Sequence, residues 1–164
     1  MRRLLRHIAP SVLLAASVFL AACGDSSCYD NGSSLPLASL YMGKSQQVIP
    51  QLTVKGIGVP GDSLLADATT VSEIYLPLQA SVTTTSFAFS HPVSDEIVVR
   101  DTITFHYQPI AYFHSKECGA MYNFDIERID CTHHGIDSVV VVNSLITNST
   151  VPSLRIYFTD FDLL

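Results

Sequence analysis

Apolar and polar residues alternate with a period of two along much of this chain, from about Leu35 to its end. Ala120, Tyr122, Phe124 and Ile126 fall on one face of an extended segment, with Asn123, Asp125 and Glu127 on the other. Leu154, Ile156 and Phe158 alternate with Ser153, Arg155 and Thr159, around a Tyr157 that points outward. Ile74, Leu76 and Leu78 repeat the pattern, as do Ile103, Phe105 and Tyr107 between Thr102, Thr104 and His106. The run Val139-Val140-Val141-Val142 has no polar face and reads as a central strand covered on both sides.

Turn chemistry separates these segments. Val59-Pro60-Gly61-Asp62 suits a type II turn, with proline fixing φ and glycine supplying a positive φ. His91-Pro92, Gln108-Pro109 and His134-Gly135 mark further corners. Threonines and β-branched residues are frequent and i, i+3, i+4 stripes are absent, which argues against helices. The expected fold is all-β: a single antiparallel β-sandwich, immunoglobulin-like or related, of about eight or nine strands over residues 35–164.

The first 34 residues read differently. Arg2, Arg3 and Arg6 precede an apolar stretch from Ile8 to Leu20, and Leu20-Ala21-Ala22-Cys23 closes it with small residues before a cysteine. This is the arrangement of a bacterial lipoprotein signal, with residues 1–22 removed and Cys23 lipidated. The stretch is shorter than the roughly 20 apolar residues of a transmembrane helix, and Pro10 interrupts it. Residues 23–34 are polar and form the expected tether. Gly24, rather than aspartate, follows the cysteine and favours the outer membrane over retention in the inner one. The periplasmic face is expected ahead of the cell surface. Of the nine basic residues, six remain after the signal, against 15 acidic ones, a net charge of −9. Such a chain has no electrostatic footprint for nucleic acid.

Three cysteines follow Cys23 in a compartment that permits disulfides: Cys28, Cys118 and Cys131. The favoured pair is Cys28 with Cys118, leaving Cys131 as a free thiol, and the rival is Cys118 with Cys131. The favoured bridge closes a loop of roughly 90 residues, worth about 4 kcal/mol by the loop-entropy relation. It also shortens the free tether to residues 24–27, a reach of no more than about 15 Å.

Several segments together resemble a known group. They are Cys23 with Cys28, Val54-Lys55-Gly56-Ile57-Gly58, Asp62-Ser63-Leu64-Leu65, Leu76-Pro77-Leu78 and Asp101-Thr102-Ile103-Thr104-Phe105. Tyr112-Phe113-His114-Ser115-Lys116-Glu117-Cys118-Gly119 and Arg155-Ile156-Tyr157-Phe158 complete the set. The chain resembles an uncharacterised family of small lipoproteins from Bacteroidota-type bacteria. The resemblance implies a lipid anchor and a β-rich body, and it carries no catalytic residues to transfer. In such bacteria, exported proteins are O-glycosylated at Asp-Ser/Thr-apolar triplets, which makes Ser63, Thr102 and Ser138 candidate acceptors.

Catalytic chemistry finds little to build on. There is no Gly-x-Ser-x-Gly, and His106 and His114 sit on expected strands. His133-His134 beside Cys131 lack ligand spacing for a metal, and neither Asp30-Asn31-Gly32 nor Asp160-Phe161-Asp162 completes a calcium loop. No catalytic residue, metal or cofactor is expected. Asp101 is unusual, because it stands between Val99 and Ile103 on an apolar strand face, where a bare carboxylate is costly. A bulge or turn that ejects it is expected, ahead of a partner such as Arg100 or Lys116. The expected function is that of a non-enzymatic envelope lipoprotein, a binding or structural module acting beside an outer-membrane protein. The alternative is a glycan-binding lipoprotein. Seven Tyr and eight Phe supply stacking faces although Trp is absent, and tyrosines aligned on one sheet would point to that class.

Overall fold

The computed structural model describes residues 34–58, 63–94, 96–116 and 118–160. Among these residues there are eleven strands and no helix. In chain order they are β1 (Leu37–Met42), β2 (Ser45–Gln46), β3 (Ile49–Ile57), β4 (Leu64–Val71), β5 (Glu73–Tyr75) and β6 (Thr84–Pro92). They continue with β7 (Val98–Ser115), β8 (Gly119–Cys131), β9 (Ile136–Val141), β10 (Leu145–Ile146) and β11 (Leu154–Phe158). The smaller sheet runs β2-β1-β11-β9, with β5 also on β1, and the larger runs β10-β8-β7-β6-β3-β4. The two pack face to face as a sandwich. Three very short strands, β2, β5 and β10, account for the excess over the eight or nine expected.

Two of the period-two segments form the core as read. Ile103, Phe105 and Tyr107 of β7 and Leu154, Ile156 and Phe158 of β11 are buried from opposite sheets. Phe87 and Phe89 of β6 and Leu52 and Val54 of β3 fill the space between them. Each such side chain contributes about 1.5–3 kcal/mol on burial. Phe87 meets Phe105 edge to face at 5.8 Å, and Tyr107 meets Phe124 at 5.4 Å. The Tyr107 hydroxyl is paired despite its depth: it bonds Thr85 Oγ1 at 2.7 Å and donates to the Gln79 carbonyl at 2.9 Å.

All but one of the strand pairings are antiparallel. β1 and β11 run parallel, from Ala38 opposite Leu154 to Met42 opposite Phe158. A parallel pair needs a long crossover, and here the whole larger sheet intervenes.

Four expectations are corrected. Val139–Val142 is not a covered central strand: β9 is the edge of the smaller sheet, bonded to β11, and Val140, Val141 and Val142 are exposed. An apolar run without polar alternation does not reveal whether both flanks are occupied. Gln108-Pro109 is no corner but lies inside β7. The β7 bond towards the β6 side at Tyr107 N reaches Thr83 O at 2.9 Å, so Pro109, two residues on, faces a side where β6 has ended and loses no ladder bond. His91-Pro92 likewise closes β6 instead of turning the chain. Ser34, placed in the tether, is buried, and its hydroxyl donates to Asn123 Oδ1 at 2.8 Å. His134-Gly135 does turn the chain, between β8 and β9. The Val59–Asp62 turn lies outside the described residues.

Beyond the sandwich, β7 and β8 continue as a two-stranded arm. β6 pairs with β7 no further than His106, whereas the β7–β8 ladder extends to Ser115 opposite Gly119. Tyr122 and Ala120, read as core-facing, are therefore exposed on this arm, while Phe124 and Ile126 of the same face are buried.

Candidate functional site

The two ends of the sandwich differ in chemistry. At one end, where β8 turns into β9, Asp101 organises the backbone. Its carboxylate is buried and accepts from the N–H groups of His134, Gly135 and Ile136 at 2.8, 2.7 and 2.9 Å. Thr132 Oγ1 donates to it at 2.7 Å, and the exposed His134 ring donates through Nδ1 at 3.0 Å. Burial alone would raise the carboxyl pKa. The His134 N–H, the Thr132 hydroxyl and the Gly135 and Ile136 N–H groups outweigh it and hold the value at about 2.

Neither a bulge nor a cation resolves the position, contrary to expectation. The β6–β7 register passes through Phe89 opposite Asp101 without a shift. The partners are the main-chain N–H groups of residues 134–136 with the Thr132 hydroxyl and the His134 ring, all more than 30 residues from Asp101 in sequence. Gly135 fits this turn for a steric reason, because a Cβ there would run into the Val99 methyl and approach His91 Cε1 to 3.0 Å. His91, buried beside it, packs edge to face on Phe158 at 5.0 Å. Burial lowers the pKa of its ring, and the Asp101 charge opposes that shift.

The remaining histidines take separate contacts. His106 bonds Asp130 Oδ2 at 2.8 Å on the outer face of the larger sheet, and Arg128 reaches the same oxygen at 3.1 Å. His114 meets the Tyr112 ring edge to face at 6.1 Å on the arm. The His133 Nδ1 donates to the Ile136 carbonyl at 3.0 Å. Among the described residues no group of three or more His, Cys, Asp or Glu side chains is arranged for a metal ion.

Cys131 is a free, half-buried thiol that donates to the Thr132 carbonyl at 2.9 Å. Burial, and then the Asp101 charge, push its pKa up to about 11, so the reactive thiolate is scarce at neutral pH. Cys118 is disulfide-bonded, and since Cys131 is free, the rival Cys118–Cys131 pairing is ruled out. Cys23 and Cys28, and with them the expected signal and the expected tether up to residue 33, lie outside the described residues. Of the three triplets, Ser63 is exposed and Ser138 half-buried on the edge strand β9. Thr102 is half-buried in mid-sheet, and the carboxylate of its triplet is already occupied.

At the opposite end, where the chain enters at Ser34, the surface is apolar. Three depressions meet at Leu35. One of about 420 Å³ is bounded by Pro77, Leu78, Ala120, Tyr122 and Phe124 beneath the arm. A smaller one of about 100 Å³ is bounded by Val142, Leu145, Val151 and Pro152. The third, of about 510 Å³, runs between β4 and β5 along Leu65, Val71, Ile74 and Tyr75. Their surroundings carry unusually exposed hydrophobics: Phe113 and Val151 are each 71% exposed and Val142 50%. Leu35 and Val151 went unread as site residues because each is a lone apolar residue in a Ser/Thr/Pro context, Ser34-Leu35-Pro36 and Thr150-Val151-Pro152.

The described residues thus define an all-β sandwich domain with one end clasped by the Asp101 carboxylate and the other carrying three apolar depressions that meet at Leu35. The chain belongs to a family of unknown function, DUF6452, whose model matches residues 51–158. The match begins inside β3 and closes on the last residue of β11, leaving β1 outside it. No curated protein and no solved structure matches the chain.

Proposed function

We propose that this chain is a lipid-anchored envelope lipoprotein of the Bacteroidota type, a non-enzymatic binding module held at the periplasmic face of the outer membrane beside an outer-membrane protein. The lipoprotein signal ending in Leu20-Ala21-Ala22-Cys23 supports the anchor. The observation that carries the binding role is the convergence of three apolar depressions on Leu35, next to the point where the tether joins the domain. Apolar surface gathered at one end of a domain marks a protein or membrane contact. A short tether, closed by pairing Cys28 with Cys118, would keep that end against the bilayer.

The edge strand β9 gives the partner a second foothold. The other long edge, β4, is kinked by three register shifts against β3 and by Ala68 at a φ of 46°. β9 instead offers Val139–Val141 in regular register with β11, and its other flank is open to an added strand among the described residues.

Membrane fractionation of the native host tests the anchor. Cys23→Ala is expected to move the protein from the membrane pellet to the soluble envelope fraction, and retention in the pellet would refute lipidation. Photocrosslinking residues placed at Phe113 and Val151 test the binding surface, with Lys55 on the larger sheet as control. The expected result is one membrane protein captured from both apolar positions and not from Lys55. Capture of nothing in intact cells, or equal capture from all three positions, would overturn the role of the apolar end.

A further inference from the structure

The outer face of the smaller sheet carries a feature that neither end requires. Tyr41 of β1 and Tyr157 of β11 are register partners, so their side chains leave the sheet together. Their rings stack with centroids 4.9 Å apart and planes inclined by 32°. The Arg155 guanidinium lies over Tyr41, 5.9 Å from its centroid. Tyr41 is thereby flanked by a cation and a ring, and the stack holds Tyr157 in one orientation. Tyr157 in turn lines a shallow depression of about 430 Å³, bounded also by Gly43, Asp137, Ser138, Thr159 and Asp160.

We propose that this depression is a binding subsite for a neutral pyranose. The C–H face of a pyranose is apolar and its hydrogens are weakly positive, which suits the negative face of an aromatic ring. Its hydroxyl rim consists of donors that seek acceptors. Asp137 on β9 supplies a carboxylate beside the ring, and the Ser138 hydroxyl donates to its Oδ2 at 3.1 Å, leaving Oδ1 for a sugar hydroxyl. Ser138 is opposite Tyr157 in the β9–β11 register, which places the acceptor pair beside the ring. Carboxylates line the depression and no Lys, Arg or His does, so an anionic sugar meets repulsion. A locked aromatic and a preset carboxylate reduce the ordering that binding requires. The site is independent of the apolar end, so either proposal can fail without the other.

The test is saturation-transfer NMR and titration of the full-length, detergent-solubilised chain with methyl glucoside, methyl galactoside and methyl mannoside, using methyl glucuronide as the anionic control. At least one neutral glycoside is expected to bind with millimolar affinity and the glucuronide at least tenfold more weakly. Asp137→Asn is expected to weaken the neutral sugar about tenfold, and Tyr157→Ala to abolish binding. Lys55→Ala, at an exposed residue of the larger sheet outside every depression described, is expected to leave it unchanged. Because Tyr157 is half-buried, its variant is checked for folding, and the exposed Asp137 variant decides the matter if it fails. Three results would each overturn the proposal: no binding by any neutral glycoside, equal binding of the glucuronide, or an unchanged affinity in Asp137→Asn. Binding that disappears with a chelator would also overturn it, since a cation rather than the carboxylate would then hold the sugar.

Discussion

The clasped end and the apolar end of this sandwich use their residues in opposite ways. At the β8–β9 turn, a buried carboxylate satisfies three main-chain donors and two side chains, so the polar groups look inward. Around Leu35, apolar side chains look outward, and the buried polar groups, Ser34 and Ser153, fix the entering strand. The clasp thus serves the stability of the first end, whereas recognition is the role proposed for the second. A buried charge that gathers several N–H donors is costly to disturb, whereas an exposed apolar rim costs little to alter and matters only when something covers it.

Substitutions at the two ends should therefore separate stability from binding. The largest expected effect is at the clasp. Asp101→Ala strands the Gly135 and Ile136 N–H groups and should lower unfolding free energy by about 3 kcal/mol or more, read from urea midpoints. Acid should produce a related loss. The folded carboxyl titrates at about 2 against an ordinary value of 3.8, so its contribution is present above about pH 4 and disappears as the pH falls towards 2. That contribution is about 2 kcal/mol, and Asp101→Asn should flatten the pH dependence of thermal unfolding over this window. Gly135→Ala should cost about 1–3 kcal/mol by forcing its methyl group against Val99. At the far end, the double substitution Phe113→Ser with Val151→Ser should change stability by less than about 0.5 kcal/mol, since both side chains are exposed. With the photocrosslinking residue moved to the exposed Val142, the same double variant should lose capture of the membrane partner. A large stability loss there would mean that the apolar end is structural, and the contrast between the ends would fall.

Much of the sandwich was legible because burial on one face writes itself as alternation. Ile103, Phe105 and Tyr107 could be placed inward on period alone, and so could Leu154, Ile156 and Phe158. Neighbour relations were not legible. Four valines at 139–142 state that a segment is extended and apolar, but only the sheet order shows β9 at an edge. Pro109 suggested a corner because a proline interrupts most strands, and its tolerance depends on where β6 stops. Asp101 was recognisable as an anomaly and its resolution was not, because backbone N–H groups belong to every residue. The tyrosine pair escaped notice for a similar reason. Tyr157 was read as outward, yet its partner Tyr41 lies at the other end of the described chain and joins it only through the parallel ladder.

That ladder has a further consequence, for the order of events during synthesis. β1 is made before every strand of the larger sheet and β11 after them all, yet they lie side by side in the middle of the smaller sheet. Ser153 even donates to the Leu37 carbonyl across 116 positions. The larger sheet can form hairpin by hairpin as the chain emerges, while β1 waits with Ala38 and Leu40 uncovered until β11 is available. Until then, β1 is an unpaired apolar strand whose exposure invites misassociation.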